Sequence, residues 1–415
     1  MNMNNKFYIG NREDLLLGLP EEKCMIVLSS GYEINRSADE DYEFQVNNNF
    51  YYLTGIKQSK VHLILLKDGE QIAEVLYIDE FDELYAKWIG HKLTISEASK
   101  ISGVYRSNIK YIKEFEEDLK EMLDEYKIVY LDLENNSNIN HNTFGLSMNE
   151  KLSKDNSLTI HNIYDDIVSL RSSKLPCEVR AMKKAIQTTK LGIESLMKNA
   201  RPNMYEYELE AYYDFAIKQD GNKPVAFKTI AASGVNATTL HYSTNDSIID
   251  DGDLILFDLG CKHEGYCSDI TRTFPANGKF SPLQKMIYEI VLKANKKICR
   301  VARAGMTLKE LQEICIEELA KGCLNAKLIK TKEEIKKYYF HGVSHSIGLD
   351  THDPISRTNP LPINAVISNE PGLYFPEYNI GIRIEDDLLL KTNKAINLSK
   401  DIIKEVEDIE NFMEK

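Results

Sequence analysis

Residues 253–275 read DLILFDLGCKHEGYCSDITRTFP. Leu254–Phe257 is an apolar run of the kind that forms a buried strand, and it ends in Asp258. A charged side chain at the end of such a strand has to be paired or bound to a metal, because desolvating it alone costs too much. A turn near His263–Gly265 leads into a second strand carrying Asp269. A hairpin turning about the 263/264 bond sets Asp258 directly opposite Asp269. Like charges facing across strands destabilise unless something positive lies between them. The plainer alternative is that one aspartate faces solvent or caps a turn.

Three further stretches bear on the same question. Residues 341–353, HGVSHSIGLDTHD, hold three of the nine histidines: His341, His345 and His352. The H-x-x-x-H spacing suggests a zincin, but that motif needs a helix with a glutamate after the first histidine. Gly342 stands there, with Gly348 and Asp353-Pro354 beyond it, so the zincin is rejected. In SNEPGLYF, Glu370 is followed directly by the rigid turn Pro371-Gly372. In 380–390, IGIRIEDDLLL, strand alternation puts Ile382 and Ile384 on one face and Arg383 and Glu385 on the other. Alone, that stretch reads as an edge strand with an exposed Arg/Glu face. Jointly, Asp258, Asp269, His345, Glu370 and Glu385 supply four carboxylates and one imidazole. Two divalent cations neutralise the four negative charges that otherwise repel one another. The oxygen-rich set suits manganese, with cobalt or zinc able to compete. Two such ions can share a hydroxide nucleophile and clamp a developing oxyanion, which is machinery for hydrolysis.

The chain of 415 residues, 43% hydrophobic, is long enough for two domains, and 28% charged residues exclude wholesale disorder. With 51 basic and 64 acidic residues the net charge is −13, and the absence of a basic block argues against nucleic-acid binding. No apolar run approaches the ~18 residues of a membrane span, and MNMNNKFYIGNRED lacks a signal-peptide core. Seven cysteines form no CxxC and fit reduced thiols, so a soluble cytoplasmic protein is expected. Strands are expected at Met25–Ser29, Phe50–Leu53, His62–Leu66 and Ala73–Ile78, and an amphipathic helix over 110–126. The Asn-rich stretch Glu134–Asn142 reads as a connection between domains. Helices are expected at Glu178–Asn199, Tyr205–Gln219 and Pro282–Ala302, and a last one over 399–415 with Ser399 as N-cap.

These residues, in this order, resemble the metallopeptidases of the pita-bread fold, specifically aminopeptidase P and prolidase. The resemblance runs through TTLHYS (His241), LILFDLGCKHEGYCSDITRTFPANGKFSP, HGVSHSIGLDTHD, NEPGLYF and GIRIEDDLLL, and RSADEDYEFQVNNNFYYLTG looks like that family's creatinase-type domain. It implies an α/β (α+β) chain: a creatinase-type mixed α/β amino-terminal domain over 1–160 and a pita-bread catalytic domain over 161–415. By the same resemblance Asp258, Asp269, His345, Glu370 and Glu385 are the metal ligands, with Asp269 and Glu385 bridging. His241 matches a histidine at the active-site rim that hydrogen-bonds substrate. His352 matches one that contacts the scissile carbonyl oxygen, and His341 one that lines the pocket. Glu370 handles the proton of the nucleophilic water, and Arg383 orients neighbouring carboxylates or lines the substrate pocket.

The implied substrates are peptides with proline second. An Xaa–Pro bond has a tertiary nitrogen with no N–H, so its site needs an apolar slot for the ring and a proton for the departing nitrogen. An Xaa-Pro aminopeptidase is expected, with an Xaa-Pro dipeptidase as the close alternative and a non-catalytic peptide-binding scaffold as a third. The family's habit implies a homodimer or homotetramer. Two residues depart from its usual pattern: Asn369, where a small apolar residue is common, and Ser346, where a bulky one is. Trp88, the one tryptophan, lies where the family's loop can reach a neighbouring subunit, although a packing role is the simpler reading.

Overall fold

The computed structural model describes residues 3–134, 143–221, 224–356 and 358–414. The stretch 135–142, expected to connect domains, lies outside the described residues. The chain divides into two units, Met1–Arg171 and Ser172–Lys415.

The first unit is built on β1 (Lys23–Ser29), in which every residue from Cys24 onward is buried. Such a continuous buried run marks a central strand covered on both faces. It pairs antiparallel with β2 (His62–Asp68), which continues through a hairpin into β3 (Gln71–Ile78). On the other side it pairs parallel with β5 (Ile128–Leu131) and, beyond that, β6 (Thr159–Asn162). The far edge is β4 (Ile109–Tyr111), giving the order β4-β3-β2-β1-β5-β6. Met25, Val27, Ile64 and Val129 form a core with Phe115 and Leu119 of the helix Phe115–Glu125.

Three expectations fail in this unit. Phe50–Leu53 is not a strand but the middle of a helix, Asn48–Thr54. The aromatic run favours β by propensity, but Asn47 accepts the Phe50 N–H at 2.8 Å as an N-cap and Gly55, at φ 71°, closes the helix. A Cβ at Gly55 would come within 2.4 Å of the Tyr8 ring, so the glycine is fixed by packing as well as by dihedral. The helix expected over 110–126 is shorter, because its first residues pair as edge strand β4 with β3. Trp88 does not pack: it is 88% exposed.

In the second unit two long helices, Pro176–Asn199 and Glu206–Gln219, pack together. A three-stranded sheet follows, with β8 (Leu254–Leu259) between β7 (Ile230–Ser233) and β9 (Ile270–Pro275). The helix Pro282–Val301, begun by a Ser281/Gln284 capping box with proline at its first turn, comes next, then Leu308–Asn325. A second sheet region holds β10 (Val366–Asn369), β11 (Gly372–Phe375), β12 (Ile380–Arg383) and β13 (Asp386–Leu390).

The hairpin register of β8 and β9 differs from the one expected. Asp258 faces Thr271, not Asp269, because the turn centres on Glu264-Gly265, closed by His263 opposite Tyr266. Both central residues have positive φ, 52° and 89°, a pattern that requires glycine where the strands twist most sharply. Asp269, just before β9, is therefore a diagonal neighbour of Asp258 on the same face. The stretch 380–390 is not an exposed edge: Arg383 and Glu385 are 4% and 2% exposed. The last helix spans only Val406–Met413. Ser399 caps nothing there; its hydroxyl donates to Asp386 at 3.1 Å, while the Ile402 and Ile403 carbonyls accept from the buried Arg272 guanidinium.

Candidate metal centre and active site

One cavity of about 350 Å³ is lined by Asp258, Asp269, His345, Glu370 and Glu385 and also by His241, His341, His352 and Arg383. All nine residues singled out in the sequence meet there. β8 and its hairpin bring Asp258 and Asp269, and β12 and the break before β13 bring Arg383 and Glu385. His341, His345 and His352 come from a segment without helix, which agrees with rejecting the zincin. Among the described residues, one donor atom each from Asp269, His345 and Glu385 lies within 4.8 Å of the other two. His345 Nε2 is 3.3 Å from Asp269 Oδ2 and 3.4 Å from Glu370 Oε1.

The electrostatics are those of acidic groups that outnumber the cations, Arg383 and His345, beside them. Burial pushes the Asp269 carboxyl up to about 7, with Asp258 and Glu370 adding to the shift against a hydrogen bond from His345. Burial likewise raises Glu370, and it raises Glu385 well above the usual range with help from Asp269, Glu370 and Asp258. Burial opposes charge on His345, yet the Asp269 hydrogen bond and the nearby Glu370 carry its imidazole up to about 9. Protons take the place that cations fill more effectively.

The donor set fits a divalent cation on separate grounds. Asp258 Oδ1 and Asp269 Oδ1 are buried without a hydrogen-bond partner among the described residues. His345 Nδ1 lies 3.0 Å from the Ser346 carbonyl. A carbonyl can only accept, so Nδ1 carries a proton, and Nε2, which gives its own proton to the acidic cluster here, is the nitrogen whose lone pair would be free for a cation once that proton is lost.

Arg383 sets the charge balance. Its Nη2 donates to Asp258 at 2.6 Å and its Nε to Thr271 Oγ1 at 3.1 Å; that hydroxyl donates to Glu385 at 2.7 Å. Its Nη1 donates to the Tyr374 hydroxyl at 3.1 Å, which lies 2.9 Å from His341 Nε2. Burial, then the Arg383 charge, lowers His341 to about 4. The ring is therefore neutral at pH 7; with Nδ1–H given to the Gly342 carbonyl at 2.8 Å, its Nε2 accepts the tyrosine proton.

The profile of metallopeptidase family M24 matches residues 180–392, and that of the aminopeptidase P N-terminal domain matches residues 8–130. A Haemophilus influenzae protein named Xaa-Pro aminopeptidase is 33% identical over 411 residues, covering 94% of this chain and 93% of the relative. This chain belongs to the aminopeptidase P family of M24 metallopeptidases. Among solved structures, a Bacillus anthracis chain described as an aminopeptidase P is 44% identical with a TM-score of 0.96, covering 99% of this chain and 98% of that one. Escherichia coli aminopeptidase P with the inhibitor Pro-Leu is 28% identical with a TM-score of 0.90, covering 100% and 99%. The second unit accordingly has the pita-bread fold of the M24 family.

Some residues of this M24 site escaped the sequence reading. Thr271 was within reach, since it alternates with Asp269 and so shares its face. Tyr374 and Ser368, which donates to Glu370 at 3.1 Å, had no such signal. Nor had the apolar cavity wall of Phe227, Ile230 and Leu240, since apolar residues in a loop and a short strand read as ordinary packing. The two departures from the family pattern, Ser346 and Asn369, are both fully buried and neither lines the cavity.

Proposed function

We propose that this M24 peptidase releases the N-terminal residue from peptides whose second residue is proline. Two divalent ions, held by Asp258, Asp269, His345, Glu370 and Glu385, serve the reaction, and manganese suits the oxygen-rich donors. The observation that carries this reading is the convergence of four carboxylates and one imidazole on a single cavity, with two of its buried carboxylate oxygens left without partners among the described residues. Bound divalent ions supply Lewis-acid polarisation of the scissile carbonyl and of water.

The chain's own groups do the rest. Glu370, held through Oε1 by Ser368 and partly open to the cavity, takes the proton from the attacking water and returns it towards the departing nitrogen. That nitrogen is tertiary in an Xaa–Pro bond, so it must be protonated to leave. His352, packed edge-on against His345 with ring centroids 4.2 Å apart, stands ready to donate to the scissile carbonyl oxygen. His241 hydrogen-bonds the substrate at the rim, and neutral His341, both of its ring nitrogens engaged by Gly342 and Tyr374, lines the inner wall against it. Arg383 keeps Asp258 and, through Thr271, Glu385 aimed at the centre. Ile230, Leu240 and Phe227 provide apolar surface for the proline ring, and the acidic cluster attracts the free α-ammonium, which makes the enzyme an exopeptidase. A cytoplasmic homodimer or homotetramer completes the reading. No helix among the described residues is long and apolar enough to cross a membrane.

The test is a panel of Xaa-Pro di-, tri- and pentapeptides offered to manganese-loaded protein. Release of the first residue from the longer peptides is expected. Turnover confined to the dipeptide would make the protein an Xaa-Pro dipeptidase, and no release at all would leave a binding scaffold.

A further inference from the structure

The hairpin that carries Glu370 and Glu385 keeps one register from end to end. Asn369 faces Asp386 between β10 and β13, and Gly372 faces Arg383 between β11 and β12. The same register puts Glu370 opposite Glu385 and Pro371 opposite Ile384, in the gap between the two ladders. The Ile384 N–H still donates to the Pro371 carbonyl at 3.3 Å. The return bond cannot form, because proline has no N–H. The Ile384 carbonyl would then be stranded in the interior, where backbone polar groups are almost always paired.

Asn295, on the helix Pro282–Val301, supplies the missing donor. Its Nδ2 lies 3.2 Å from the Ile384 carbonyl and 3.2 Å from the Asn369 carbonyl. One amide group thus ties down the residues immediately preceding both glutamates. Asn369 answers from the strand, its own Nδ2 donating to the Asn295 backbone carbonyl at 3.0 Å. The other end of the amide is fixed by Lys404, whose Nζ donates to Asn295 Oδ1 at 2.8 Å and also pairs with Asp386. Asn295 is fully buried and does not line the cavity, so it acts through the backbone and not on substrate. It also accounts for Asn369, the departure from the family pattern that sits beside a proposed ligand.

We propose that Asn295 is a positioning residue that fixes the separation of Glu370 and Glu385 and thereby sets how tightly the centre holds divalent ions. This rests on the reading of those two glutamates as ligands. The experiment measures Mn²⁺ dissociation constants of the metal-stripped full chain by competition with a chromogenic chelator. Asn295→Leu removes the donor at similar volume, and Asn295→Asp does so at the same shape should the leucine variant fail to fold. Either is expected to bind Mn²⁺ about 10- to 100-fold more weakly, the effect typical of losing a group that supports a metal ligand. Asn369→Ala keeps both Asn295 bonds and is expected within about threefold of wild type on the same scale. Leu319→Ala, in the core of Leu308–Asn325, is expected to lower the melting temperature and leave Mn²⁺ affinity unchanged. Tight binding by wild type with unchanged binding by Asn295→Leu or Asn295→Asp overturns the positioning role alone. Absence of Mn²⁺ binding by wild type removes the metal reading and this inference with it.

Discussion

Arg383 shows how a single buried cation organises acidic neighbours. It neutralises Asp258 directly and reaches Glu385 through the Thr271 hydroxyl, while Tyr374 relays its third contact to His341. Tyr374→Phe keeps the ring and cuts that relay. The variant is expected to lose about 1–3 kcal/mol of stability, as for a hydrogen bond to a charged group, and roughly tenfold in turnover; denaturant melts and steady-state kinetics check both. The five proposed acidic and histidine ligands could be singled out in the sequence because ionisable groups among apolar residues demand an explanation. Tyr374 and Asn295 could not, because their roles depend on partners brought close only by the fold. Asn295 and Asn369, for example, are 74 positions apart.

At the scale of elements, local signals competed with propensity. Phe50, Tyr51 and Tyr52 favour a strand by propensity, yet Asn48–Thr54 is a helix because Asn47 and Gly55 cap it. The aspartate hairpin was misplaced by one residue in its turn, because the preference of Gly265 for positive φ outweighed symmetry between the two aspartates. On β2, His62 packs against the rings of Phe115 and Phe144. Burial lowers its imidazole to about 4, against a small upward pull from Glu116, while the unfolded chain titrates it near 6.5. Above pH 6.5 the group is neutral in both states and has no effect. As pH falls from 6.5 to 4 the unfolded chain binds the proton and the folded one does not, so stability falls. The loss is expected to approach about 3 kcal/mol. His62→Phe should abolish it, read as the difference in urea midpoint between pH 7 and pH 4.5.

At the scale of the molecule, the chain divides into two units, Met1–Arg171 and Ser172–Lys415. The first is a six-stranded sheet around β1, and the second holds every residue of the candidate centre. The pita-bread architecture was legible because four separated motifs occur in one order, but the path that folds them onto one cavity was not. It depends on the Pro371 gap and on side chains that satisfy the carbonyls left by it. The account as a whole stands on divalent ions balancing those carboxylates. Crystals grown with manganese, recorded with anomalous scattering at its absorption edge, test that most directly. Two peaks in contact with Asp258, Asp269, His345, Glu370 and Glu385 are predicted, and an empty cavity, or peaks only elsewhere on the protein, would contradict it.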